Sequence, residues 1–113
     1  MPAQDRAAIV RACFAAFAAG HRHVVEAALA DDFVFSSPAD VGIDRTRFFE
    51  RCWPGHENLR GFELKRVHEI GDDEVVVTYE AERSDGSRFR NTEVFRVDGD
   101  RIKSEEVYFG WNM

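Results

Sequence analysis

Cysteine, proline, positive charge and long apolar runs are all scarce in this 113-residue sequence. Two cysteines, Cys13 and Cys52, and three prolines are present. Both thiols fall in apolar helical patterns with no metal-ligand spacing around them, so neither a disulfide scaffold nor a thiolate metal centre is expected. Buried free thiols in a reducing cytoplasm fit that usage. Lys plus Arg number 15 against 21 Asp plus Glu, a formal net charge of −6. A surface of that sign repels phosphate backbones and anionic lipid, which argues against nucleic acid or a membrane as partner. No apolar run approaches the roughly 18 residues that a membrane helix needs, and the first residues lack the charged-then-apolar pattern of a secretory signal. The chain is therefore expected in the cytoplasm. Gly-rich phosphate loops and nucleophile elbows are missing, so no cofactor is expected. The "HRH" at 21–23 has no second ligand cluster, and no metal is expected.

What the chain does hold is aromatic side chains: ten Phe, two Trp and two Tyr. With 44% hydrophobic and 32% charged residues the sequence reads as one globular domain, residues 1–113, rather than a disordered chain. Those rings fill a core or wall a cavity. Residues 3–19 are Ala-rich, with Ile9, Cys13 and Phe17 on one helical face, Val10 and Phe14 beside them, and Gly20 as the stop. "HVVEAALA" predicts a second short helix and "DFVFSSP" an extended segment. Asp44 then N-caps "IDRTRFFERCW", with Ile43 and Phe48 placed as a hydrophobic staple and Pro54 and Gly55 closing the helix.

Beyond Gly55 the period changes to two. "GFELKRVHEI", "EVVVTYEAER", "RFRNTEVFRV" and "RIKSEEVYF" predict four strands joined by "GDD", "SDGS" and "DGD", which is hairpin chemistry. Three helices followed by a meander imply an α+β fold: a cone-shaped α+β barrel, with the N-terminal helices packed on a curved antiparallel sheet. Within "RFRNTEVF", alternation puts Phe89, Asn91, Glu93 and Phe95 on one face and Arg88, Arg90, Thr92 and Val94 on the other. An amide and a carboxylate thus share an aromatic face. A pocket-lining face accounts for that mixture.

The element order resembles the nuclear transport factor 2-like superfamily, which includes ketosteroid isomerases, limonene epoxide hydrolases and SnoaL-type polyketide cyclases. "FAAFAAGHRHVVEAALADDFVFSSP", "SDGSRFRNTEVFRVDGDRI" and the terminal "VYFGWN" carry the resemblance, which spans the whole chain. It implies the cone-shaped fold and a small apolar molecule, cyclic or carbonyl-bearing, in the cavity. Cofactor-free isomerase, cyclase, dehydratase or hydrolase chemistry is one implied use; a binding module without chemistry is the other. The isomerases' first-helix Tyr corresponds to Cys13, their general-base Asp to Ser37, and their protonated Asp to Glu93. The residue types of the epoxide hydrolase group occur at Asp40, Arg45, Tyr79, Asn91 and Glu93, without aligning into its triad.

Glu93 is the candidate acid–base residue, because burial among rings raises a carboxyl pKa; a structural ion pair is the competing reading. Asn91 and Tyr79 are candidates to orient a ligand, and Phe14, Phe89 and Phe95 to wall it. Trp53 either roofs the pocket or fills the core, and Asp40 lies at the mouth or on the surface. His68 shares the inward alternation of its strand. On the last strand, either Glu105 with Val107 or Glu106 with Tyr108 faces the cavity. The outer face, with Thr78, Val94, Val107 and Phe109, is where two copies are expected to pair as a homodimer.

Overall fold

The first helix begins where its cap does: Asp5 accepts hydrogen bonds from the Ala7 and Ala8 amides at 3.0 and 3.4 Å. The computed structural model describes residues 5–113, so residues 3–4 of the expected helix lie outside the described residues. Helix α1 (Arg6–Ala19) ends at Gly20, whose φ of 76° lets its N–H reach the carbonyls of Ala16 and Phe17. A Cβ at that position would also stand 3.0 Å from the His56 ring. Helix α2 (Arg22–Ala28) ends two residues earlier than expected. Leu29 and Ala30 are extended instead, because Leu29 pairs with Ile102 in the sheet.

Strand β1 (Leu29–Ser36) and the two-residue β2 (Ile43–Asp44) pair antiparallel. Ile43 and Asp44, expected as the staple residue and the cap of the third helix, precede it as a short strand. Asp44 still caps α3 (Arg45–Arg51), accepting from the Arg47 amide at 2.8 Å. A 3-10 turn over Trp53–Asn58 carries Pro54 and Gly55 and leads into the meander. That meander is β3 (Leu59–Ile70), β4 (Glu74–Arg83), β5 (Arg88–Asp98) and β6 (Arg101–Asn112).

The four meander strands are antiparallel, as expected. Strand order is β2-β1-β6-β5-β4-β3, and β1 runs parallel to β6, so the six-stranded sheet is mixed. It is curved but unclosed, with β2 and β3 as free edges. An open cone, not a complete barrel, holds the helices on its concave side. The bending is built in by register shifts: extra residues at Arg60 and Lys65 in β3, one each at Lys103 and Gly110 in β6, and a wider shift between Leu29 and Val34 in β1. Phe33, Phe95, Leu29 and Ile102 are fully buried between helices and sheet, each contributing about 2–3 kcal/mol of transfer free energy. No helix among the described residues is long and apolar enough to cross a membrane.

Candidate functional site

The core stops short of filling the cone. A cavity of about 820 Å³ opens where the 3-10 turn, the β4–β5 hairpin and the end of β6 converge, with Asn58, Ser84, Asp85 and Trp111 at its exposed rim. Helix α1 contributes Cys13, Phe14 and Phe17, and the sheet contributes Tyr79, Phe89, Asn91, Glu93, Phe95, Glu105 and Val107. Phe14 meets Phe62, Tyr79 and Phe95 edge-on at centroid distances of 5.0, 5.1 and 5.6 Å. These T-shaped contacts build the apolar wall.

Strand alternation delivers the polar residues to that wall. Tyr79 pairs with Asn91, Val77 with Glu93 and Val75 with Phe95 across β4 and β5, so all six share the concave face. Six of the eight expected site residues therefore line the cavity: Phe14, Tyr79, Phe89, Asn91, Glu93 and Phe95. The other two stand elsewhere. Trp53 is core, in contact with Phe17, Phe49 and His56. Asp40 accepts from Arg51 Nε at 2.8 Å and orders the loop ahead of β2.

Glu93 is 5% exposed and has no cation beside it. Tyr79 OH donates to its Oε2 at 2.6 Å, and Asn91 Nδ2 donates to the Tyr79 oxygen at 3.3 Å. Oε1 is buried and meets no nitrogen or hydroxyl donor among the described residues. The other polar side chain beside Glu93 is the carboxyl of Glu105 on β6, which is hydrogen-bonded to Glu93 when a proton lies between them. Burial pushes Glu93 above the usual carboxylate range, while the bonds from Glu105 and Tyr79 pull it back. Glu105 is raised further, by burial first and then by the charge of Glu93 and the bond to it. Two carboxyls in hydrogen-bonding contact cannot both ionise cheaply, which favours a proton shared between them. Burial also raises the Tyr79 hydroxyl and the Cys13 thiol, and carries Cys52 up to about 11, so both cavity thiols stay protonated and weakly nucleophilic.

The last strand's parity is settled by its bulges. Lys103 is the extra residue that sets Glu105 opposite Phe95 and Val107 opposite Glu93, both facing inward. Glu106 and Tyr108 face outward. Phe109 continues the inward parity and reaches the cavity rim opposite Asn91, and the Gly110 bulge beyond it sets Trp111 opposite Arg90 and Asn112 opposite Phe89. Val107 and Phe109, expected on the outer face, thus belong to the cavity. The Lys65 bulge does the reverse for His68: Val67 turns toward the core and His68 is exposed. Among the described residues no His, Cys, Asp and Glu cluster suited to a metal occurs.

Residues 10–105 match the SnoaL-like domain family. The chain belongs to that family. In this SnoaL-like domain Cys13 lines the cavity where the isomerases carry Tyr, and Ser37 forms a turn, its Oγ accepting from the Ala39 and Asp40 amides. No curated protein matches the chain. Among solved structures, an NTF2-like protein of unknown function from Cytophaga hutchinsonii is 18% identical with a TM-score of 0.76, over 97% of this chain and 95% of that one. An LEH-like epoxide hydrolase from M. tuberculosis is 26% identical with a TM-score of 0.72, over 96% and 80%. A de novo designed protein with a curved β-sheet reaches a TM-score of 0.80 at 14% identity, over 97% and 88%. The same backbone thus serves proteins with and without an evolved activity, and function has to be argued from the site.

Proposed function

We propose that this SnoaL-like domain binds a small, largely apolar molecule bearing one oxygen function, and that Glu93 and Glu105 move protons on it without a cofactor. The observation that carries this reading is a buried glutamate on the cavity wall with one oxygen free of nitrogen or hydroxyl donors. A buried carboxyl without a cation destabilises a fold, and a purely structural core would do better with an apolar residue there. Cavities of roughly 300–1,000 Å³ with a few convergent polar groups suit drug-sized ligands. Isomerisation, dehydration, cyclisation and hydrolysis all need such an acid–base pair; the likeness to an epoxide hydrolase supports addition of water as one form.

A carrier without chemistry is the second reading, favoured by the turn-forming role of Ser37 at the position of the isomerases' base. In either case two copies pair through the convex face, around Thr78 and Val94.

The deciding experiment offers the full chain a panel of cyclic enones and epoxides, with binding followed by tryptophan fluorescence and conversion by chromatography. Glu93→Gln keeps the shape and removes the titratable group, so conversion should fall by about 100-fold or more while binding changes little. Conversion that survives in that variant excludes the proton-transfer role, and binding without conversion by the unaltered chain establishes the carrier.

A further inference from the structure

The polar wall of the cavity has a direction. Gly110 N–H can only donate, and it donates to Asn91 Oδ1 at 3.0 Å. That contact fixes which end of the Asn91 amide faces β6, so Nδ2 turns to Tyr79 and donates to its oxygen at 3.3 Å. With its oxygen accepting, the Tyr79 hydroxyl sends its own proton to Glu93 Oε2 at 2.6 Å. Glu93 therefore ends a chain of three donors, all pointing the same way. Its Oε1 is buried with no nitrogen or hydroxyl donor, and the Glu105 carboxyl is the acid beside it that can share a proton with Glu93.

We infer that this one-way chain from Gly110 through Asn91 and Tyr79 fixes Glu93 as the ionised proton acceptor and Glu105 as the neutral proton donor. The site is then matched to a ligand with an acceptor oxygen, a carbonyl or an epoxide, presented to Glu105. Glu105 gives its proton to that oxygen, and Glu93 takes one from the adjacent carbon or from an attacking water. Transfer across the Glu93–Glu105 bond afterwards restores the pair, whose total charge of −1 is the same before and after. Asn91 and Gly110 act through Tyr79 as positioning residues.

Gly110 is needed for the geometry. It is the extra residue of a bulge, which turns its N–H toward the cavity, and a Cβ there would run into the Arg90 carbonyl oxygen. Asp85, the other acid among the lining residues, lies at the exposed rim and accepts from Ser87 N and Oγ at 2.9 and 2.6 Å. The titratable groups facing the pair are Cys13 from α1, Cys52 at the end of α3 and Tyr79 from β4, all raised and protonated at neutral pH. Arg83, the one cation among the lining residues, lies at the rim with its guanidinium 4.3 Å from the Phe89 ring centroid.

The use of the protons rests on the proposed acid–base reading, but their placement can be measured with no ligand present. The full chain, labelled with 13C-glutamate, is titrated by NMR through the side-chain carboxyl resonances. At neutral pH Glu105 should show the shift of a neutral acid and Glu93 that of a carboxylate. Tyr79→Phe removes the donor to Glu93 and should raise its apparent pKa by about 1 unit or more, drawing the shared proton from Glu105 toward Glu93. Asn91→Ala should move it less, in the same direction. The reversed assignment in the unaltered chain, or a Tyr79→Phe titration indistinguishable from it, overturns the inference. Should Asn91→Ala not fold, Tyr79→Phe alone decides, since it keeps the ring. A correct placement together with no ligand conversion would leave this chain standing and remove the acid–base function.

Discussion

Two glutamates on opposite faces of the same sheet are almost equally buried and sit in contrasting company. Glu80, 7% exposed, lies on the convex face of β4, where Arg88 and Arg90 reach its two oxygens at 3.0 and 3.1 Å and Lys65 approaches at 3.9 Å. Glu93, 5% exposed, lies on the concave face of β5 with a tyrosine, a second acid and no cation. Every oxygen of Glu80 is met by opposite charge, which makes it part of the fold. Glu93 is left short of donors in a cavity, which is costly for the fold and useful to a reaction. Partners, more than depth, separate a structural acid from a chemical one.

The sharpest way to break the concave arrangement is Gly110→Ala. The added Cβ collides with backbone rather than with the movable end of a side chain, so β6 has to withdraw from β5 or lose its bulge. Overpacking of this kind costs about 3 kcal/mol, and the urea midpoint should drop accordingly. A midpoint within error of the unaltered protein would mean that the strand end adjusts freely and does not hold Asn91.

Exchanging acid for amide on each face tests the comparison directly. Glu80→Gln removes the charge on which three cations converge; because Arg88 is 42% exposed and screened by solvent, the loss should be about 1–2 kcal/mol. Glu93→Gln removes a desolvated carboxyl and adds a donor, so stability at neutral pH should hold or rise slightly. If Glu93→Gln proved the more destabilising of the two, Glu93 would be a structural acid after all.

Much of the site was legible because strand alternation is a local property. The period of two in "RFRNTEVF" put Phe89, Asn91, Glu93 and Phe95 on one face, and the register with β4 brings them beside Tyr79 as that pattern required. The helix stops and caps at Gly20 and Asp44 were readable for the same local reason. What escaped was decided between strands. Each single-residue bulge reverses the parity of everything beyond it: Lys65 turned His68 out, Lys103 turned Glu105, Val107 and Phe109 in, and Gly110 reset Trp111 and Asn112. No feature of Lys65 or Lys103 marks a bulge, whereas Gly110, inside a run of aromatic residues, was a usable signal. Asp40 and Trp53 were placed by analogy of position, and their partners, Arg51 and the Phe17–Phe49 cluster, come from segments whose approach no local pattern encodes.

The acid pair also makes stability depend on pH in a definite sense. Glu93 and Glu105 have folded pKa values above the ordinary carboxylate range, Glu105 the more so. Above about pH 4.3 the unfolded chain gives up both protons while the raised native pKa values delay their loss, so the native state binds more protons and loses stability as pH rises through that window. Glu105→Gln removes the larger contribution. Its unfolding free energy should fall less steeply than that of the unaltered protein between about pH 5 and about pH 8, each unit of pKa separation being worth about 1.4 kcal/mol. Parallel curves would show that Glu105 carries no retained proton.

The smallest effect is expected on the convex face, one residue pair away from the acid–tyrosine contact. Thr78 and Thr92 lie directly opposite each other with their hydroxyls 2.9 Å apart, and on a face open to water either hydroxyl can exchange its partner for solvent. A double-mutant cycle with Thr78→Val and Thr92→Val should return a coupling of about 0.2–1 kcal/mol. The proposed homodimer would cover this pair, and the unfolding midpoint would then rise with protein concentration, as linkage to association demands. A weak coupling with a midpoint independent of concentration would leave the convex face bare and remove the dimer, while the cavity on the other side of the same strands kept its acids.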